Sequence, residues 1–339
     1  MRRVLMIAFM LTVAFGAALF AGGKAADSGN VHAVVFKSTG NPFGEKLMDG
    51  FETGIKEQGG AVIRRAPDLP TAEAQIQIID QLIAQRVASI TLSANDFDAL
   101  QPVLTKAKNQ GIKVVTADSA VNPASRSVHI NQADTKLIGE TLVEAAFDQA
   151  GGSGEIAILS ATSQASNQNA WIAVMEETLK QPKYASLRLV KIAYGDDLRD
   201  KSVSETEGLL ASYPNLKVIV APTTVGIAAA AKVVSDRGLI GKVKITGLGL
   251  PSEMAEYITN GSCPYMFLWN PIDLGYLASY AATALAGGTI TGKVGDQFSG
   301  GKLGNYTVAQ EPGTSGTEVI LGPPYKFEPS NIDEWKSVY

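Results

Sequence analysis

Where most of the short apolar runs of this sequence end, polar side chains follow, and planar ones dominate. Lys37, Asn41 and Phe43 follow the run 33–36, Asn95 and Asp96 follow 88–93, and Asp118 with Ser119 follows 112–117. Further along, Asn167, Gln168 and Trp171 follow 155–161, Asp196 and Asp197 follow 187–194, and Thr223 with Thr224 follows 216–222. Carboxylates, carboxamides and an ammonium group can hold several hydroxyls through paired donors and acceptors, and an aromatic face such as that of Phe43, Trp171 or Trp269 covers the C–H face of a ring. Polyols are the ligands this chemistry suits, with Asp118 placed to accept from two hydroxyls. Each residue also has a structural alternative: Lys37 reaching solvent, Asp118 making a turn with Ser119, Asn167 and Gln168 capping a helix, and the aromatics filling a core.

Other chemistries find little support. One cysteine, Cys263, excludes an internal disulfide framework, and two histidines, His32 and His129, leave little for a metal centre. Asp196-Asp197-Leu198-Arg199-Asp200 lacks the glycine and terminal glutamate of a calcium loop and reads as a solvated turn. Gly247-Leu248-Gly249 lacks the third glycine of a dinucleotide fingerprint, and no phosphate loop or GxSxG elbow occurs. No metal and no cofactor is therefore expected. Asp118 with Asp196 or Asp197 leaves a paired-carboxylate glycoside chemistry open. The net charge of −4, from 29 basic and 33 acidic residues, disfavours a nucleic-acid partner.

The elements that must position these residues follow from the apolar pattern. The runs 33–36, 88–93, 112–117, 155–161, 187–194, 216–222 and 243–248 are rich in Val and Ile and do not alternate, as in strands buried on both faces of a parallel sheet. Between them, Phe43, Leu47, Met48, Phe51 and Ile55 share one helical face, and Ile76, Ile79, Leu82 and Ile83 share another after a Thr71 N-cap. Helices are predicted over 135–149 and 273–286, and late strands over 265–269 and 318–321. With 339 residues and about a dozen alternating elements, two sheets are expected, with a break near His129-Ile130-Asn131-Gln132. Ahead of them, Arg2 and Arg3, the apolar run 4–21 and the small residues after it have the order of a secretory signal peptide, with cleavage after Ala21 or Ala25.

Lys37-Ser38-Thr39-Gly40-Asn41-Pro42-Phe43, Thr91-Leu92-Ser93-Ala94-Asn95-Asp96, His129-Ile130-Asn131-Gln132 and Ala221-Pro222-Thr223-Thr224-Val225-Gly226 resemble the type I periplasmic sugar-binding proteins of ABC importers. Ile158 to Thr162 followed by Asn167-Gln168-Asn169 and Trp171, Val190 to Asp197, and Leu268-Trp269-Asn270-Pro271 are most similar to the rhamnose-binding branch, whose near relatives bind autoinducer-2. The resemblance implies an α/β fold of two Rossmann-like lobes joined by a multi-strand hinge. Residues 1–25 would be a signal peptide, 26–130 plus 271–305 the N-terminal lobe, and 131–270 plus 306–339 the C-terminal lobe. It further implies an exported monomer that binds a monosaccharide, most simply L-rhamnose, delivers it to an ABC permease and performs no catalysis. The autoinducer-binding pattern maps onto Lys37, Asp118, Asn167-Gln168, Pro222 and Thr224, where Asn167 replaces a carboxylate and Thr224 an alanine. Asn270, beside Trp269, joins the implied contacts. Ala120 stands where many rhamnose-binding relatives carry an acid.

Overall fold

The computed structural model describes residues 30–339, so the expected signal peptide lies outside the described residues. Strands β1 (Val31–Val35), β2 (Ala61–Arg65), β3 (Ser89–Leu92), β4 (Lys113–Ala117) and β5 (Val128–Asn131) alternate with helices α1 (Pro42–Glu57), α2 (Ala72–Ala84) and α3 (Gln101–Asn109). After α4 (Thr135–Gln149) come β6 (Gly154–Ser160), α5 (Ser166–Leu179), β7 (Leu187–Tyr194), α6 (Arg199–Ser212), β8 (Leu216–Ala221), α7 (Thr224–Asp236), β9 (Lys244–Gly247), α8 (Pro251–Asn260) and β10 (Met266–Leu268). The chain ends with α9 (Pro271–Ala286), β11 (Gln297–Ser299), β12 (Asn305–Thr307), β13 (Ala309–Gln310), β14 (Thr317–Ile320), β15 (Tyr325–Phe327) and α10 (Ile332–Trp335).

Two sheets result. The first has the order β13-β14-β5-β4-β3-β1-β2 and is parallel except for β13; the second, β7-β6-β8-β9, is parallel throughout. A bridge from Leu248 to Phe267 attaches the antiparallel pair β10-β15 to the second sheet. The chain crosses between lobes at 132–134, 269–270 and 321–324. Three connections hold the lobes close and leave a hinge between them. The expected boundary at 305 needs correction: β13 and β14 extend the first sheet, so only the segment from β15 onward belongs with the second.

Strands buried on both faces explain the unbroken apolar runs. Val34 and Phe36 of the first run pack with α1 and α9, while Ala33 and Val35 point into a separate core under α2 and α3. Six strands escaped the apolar pattern, the short β11, β12, β13 and β15 near the end of the chain and, within the first sheet, β2 and β5. At the sheet edge, β2 is half-exposed and carries Arg64, which pairs with Glu45, Asp49 and Glu52 of α1. In β5, His129 and Asn131 are buried but polar, satisfied by Thr116 Oγ1 (2.9 Å) and by Glu318 (2.8 Å).

Helix α9 returns the chain to the first lobe by lying against α1. The two backbones come so close that a Cβ on Gly50 would overlap the Ile272 carbonyl, and one on Gly275 would overlap that of Leu47. Gly275→Ala is expected to destabilise the fold by about 1–3 kcal/mol, as overpacking does, and to lower the thermal midpoint. An unchanged midpoint would show that the helices can separate freely.

Both histidines are buried against a hydroxyl, His32 Nδ1 lying 2.7 Å from Ser89 Oγ. Burial lowers His32 to about 4; burial, with the Arg126 charge nearby, lowers His129 to about 3. Unfolded, both titrate near about 6.5, so the unfolded chain holds more protons between these limits. Their contribution to stability is full above about pH 6.5 and is lost as pH falls towards about 3. Thermal melts between about pH 7 and pH 4.5 should therefore fall more steeply for the native chain than for the His32→Asn/His129→Asn double variant. Parallel pH slopes would contradict this.

Candidate functional site

The carboxyl ends of both sheets face one another across the crossovers, and the residues just beyond the strands close tightly around a cavity of about 40 Å³. In the first lobe two buried amides fix these loops. Gln75 of α2 donates to the carbonyls of Phe36 (3.2 Å) and Ser93 (2.8 Å) and accepts from the Asn95 amide (2.9 Å). Asn95 in turn donates to the Lys37 carbonyl at 2.8 Å. Asn95 is thus a splint between the ends of β1 and β3, not a wall of the cavity.

Asp118 follows β4 with φ of 68°, a left-handed conformation that aspartate tolerates better than most residues. Its carboxylate accepts from Ser93 Oγ (2.7 Å), pairs with Lys37 Nζ (3.3 Å) and accepts from Asn167 Nδ2 (2.9 Å). Lys37 also donates to Asn167 Oδ1 at 3.4 Å. The Asn167 amide therefore lies between a cation and an anion of the opposite lobe and serves both. An aspartate at this position would set two carboxylates against each other.

The second lobe supplies the remaining polar groups. Gln168 uses Oε1 to accept from Ser160 Oγ and the Ala161 amide, both at 2.8 Å, which leaves its amide nitrogen to donate. Asn41 and Thr223 cap α1 and α7 through their side-chain oxygens. The Thr223 hydroxyl also donates to Asp197. Burial pushes the Asp197 carboxyl up; the Lys37 ammonium and the Thr223 hydroxyl oppose this, and the negative charges of Asp118 and Asp196 reinforce it. The starts of α1, α5 and α7 line the cavity, and their positive ends favour the two carboxylates held there.

Aromatic rings form the rest of the wall. Trp269, in the second crossover, meets Trp171 at 5.8 Å and Phe43 at 6.3 Å, both edge-on, and Phe43 meets Phe36 at 6.1 Å. The Trp269 indole Nε1 is buried without a hydrogen-bond partner.

Of the residues singled out from sequence, Lys37, Asn41, Phe43, Asp118, Asn167, Gln168, Trp171, Pro222, Thr223, Thr224 and Trp269 line this one cavity. Asn270 does not: its side chain caps α9, accepting from the amides of Ile272 and Asp273. The solvated turn expected at 196–200 also needs correction. Asp196 pairs with Lys201, but Asp197 turns inward and lines the cavity. Two consecutive left-handed aspartates, φ 55° and 54°, direct them to different sides. Phe36, Leu248 and Leu268 complete the wall from strand ends, where their apolar character resembled ordinary core. His129 makes a strand-to-strand hydrogen bond, and the Cys263 thiol is buried and pushed up by that burial.

Comparison with known proteins matches this geometry. Residues 32–290 match the family model described as periplasmic binding protein domain. A solved ABC transporter solute-binding protein from Clostridium phytofermentas with bound L-rhamnose is 52% identical, with a TM-score of 0.89 over 91% of this chain and 99% of that one. A sugar ABC transporter structure from Actinomyces odontolyticus is 39% identical, with a TM-score of 0.71 over 91% of this chain and 98% of the other. Among curated proteins, the D-ribose/D-allose-binding protein of Pseudomonas aeruginosa is 25% identical over 227 residues, 63% of this chain and 69% of that protein. LsrB from Clostridium saccharobutylicum in complex with AI-2, 24% identical with a TM-score of 0.84 over 90% of this chain and 99% of that one, shares the fold. The family model spans most of the chain and the matched structures cover both lobes: the chain belongs to the periplasmic binding protein family, which includes these ABC-transporter solute-binding proteins.

Proposed function

We propose that this chain is an exported, monomeric solute-binding protein that captures L-rhamnose between its lobes and presents it to an ABC permease in the periplasm, without chemical turnover. The observation that carries the reading is the arrangement of Asp118 and Lys37 from one lobe with Asn167 and Asp197 from the other around a cavity walled by Trp171, Trp269 and Phe43. Its support is the likeness, at 52% identity, to the solute-binding protein solved with L-rhamnose.

The polar groups suit a neutral polyol. The carboxylates of Asp118 and Asp197 accept hydroxyl protons, while Lys37, Gln168 and the Trp269 indole donate to hydroxyl oxygens. The deoxy carbon and the C–H face of the ring lie against the aromatics. A ligand touching both lobes binds the closed form more strongly than the open one, and this difference in affinity shifts the hinge towards closure. The two carboxylates come from different lobes and both have assigned roles in binding, which favours capture over hydrolysis.

Isothermal titration calorimetry on protein refolded free of carried-over sugar tests the reading, with L-rhamnose, autoinducer-2, a pentose and D-glucose as titrants. L-rhamnose should bind most tightly and with little dependence on salt. A different preferred ligand, or silence across the panel, would overturn it. Asp118→Asn keeps the left-handed backbone accessible and removes the charge, so it should weaken rhamnose binding roughly ten- to hundredfold with the melting cooperative. An unchanged affinity would remove Asp118 from the site.

Because its carboxyl is pushed up, Asp197 gains its proton at a higher pH than an ordinary carboxylate as the solution is acidified. If the ionised form accepts from the sugar, affinity falls with falling pH, and Asp197→Asn starts weak and flattens that fall. A pH profile identical in native and variant protein would exclude Asp197 as an acceptor.

A further inference from the structure

A second cavity lies on the far side of the wall made by Asp118, Asn167 and Trp171, and all three residues line both spaces. It is wedged between the lobes and open to solvent, with a volume of about 330 Å³. Two inter-lobe hydrogen bonds form its boundary with the first cavity: Asn167 Nδ2 to Asp118 Oδ1, and Ser166 Oγ to the Ala120 carbonyl, both 2.9 Å. Its lining is mixed: Phe97, Trp171, Val174 and Pro312 give apolar surface among charged groups that include Asp134, Lys136 and Glu311, and Phe97 is 36% exposed, unusual for so large a ring. Its polar side includes Gln132, in the first crossover, which is only 1% exposed and whose Oε1 is buried with no partner. A buried carboxamide left in this state calls for a donor.

This combination has the amphipathic chemistry of the first cavity: rings and aliphatic surface for a C–H face, and an unpaired acceptor for a hydroxyl. Resting on the sugar reading above, we propose that the cleft accepts O-glycosides of its monosaccharide. The sugar ring sits in the first cavity, and an aryl group or second sugar displaces the Asn167–Asp118 and Ser166–Ala120 hydrogen bonds to reach the second. Such a ligand touches the same two lobes and draws them together as the free sugar does. Ala120 belongs to this boundary: where an acidic side chain would intrude, the methyl group leaves room for the substituent.

Calorimetry with L-rhamnose and with the α and β anomers of 4-nitrophenyl L-rhamnopyranoside tests this, on native protein and on Ala170→Trp. Ala170 is an exposed residue of α5 that lines only the second cavity. At least one glycoside should bind the native protein within tenfold of the free sugar. The Ala170→Trp indole should weaken that glycoside at least tenfold and leave free rhamnose within twofold. Rhamnose binding without binding of either glycoside overturns the extended cleft alone, as does a glycoside whose affinity ignores Ala170→Trp. Failure of rhamnose itself to bind the native protein overturns the sugar reading and the extension with it.

Discussion

The structure depends on a contact between lobes in which one carboxamide answers two opposite charges. Lys37 and Asp118 stand at the ends of β1 and β4 in the first sheet, and Asn167 begins α5 beyond the second. Lys37 and Asp118 already meet within the first lobe, but Asn167 can reach them only from the second. The parallel sheets place all such positions at carboxyl ends, the crossovers turn those ends towards each other, and the left-handed backbone of Asp118 delivers its carboxylate to the junction. Everything the cavity can recognise follows from this opposition of strand ends.

Closing a cleft over charged groups costs desolvation, so charges taken out of water must be matched. Here Lys37 is shared among Asp118, Asn167 and the field of Asp197, and Ser93 and Thr223 donate hydroxyl protons to the carboxylates. The starts of three helices add partial positive charge around them. The match is incomplete at Asp197 and at the Trp269 indole. Those are the places where a ligand's hydroxyls have the most to contribute, since an unsatisfied buried group gains more from a partner than one already paired.

Much of this was legible in the residues because parallel strands buried on both faces leave unbroken apolar runs, and the cavity-lining residues follow where the runs stop. The exceptions share physical causes. Strand β5 hides its burial behind His129 and Asn131, whose partners Thr116 and Glu318 lie in other strands. Strand β2 is an edge whose arginine reaches back to α1, so its composition resembles surface. Asp197 sits in an acidic run that resembles a solvated turn, and only two successive left-handed residues separate the inward carboxylate from the outward one. Asn270 follows Trp269 at the cavity, yet the demands of a helix start claim its side chain. The return of β13 and β14 to the first sheet depends on pairing with β5, which local pattern does not encode.

The most direct test of the account is a crystal structure of the protein with L-rhamnose. The account predicts the sugar in the cavity between the lobes, hydroxyls within hydrogen-bond distance of Asp118 and Asp197, and a C–H face against Trp171 or Trp269. A sugar bound elsewhere, or held by residues of one lobe alone, would contradict it.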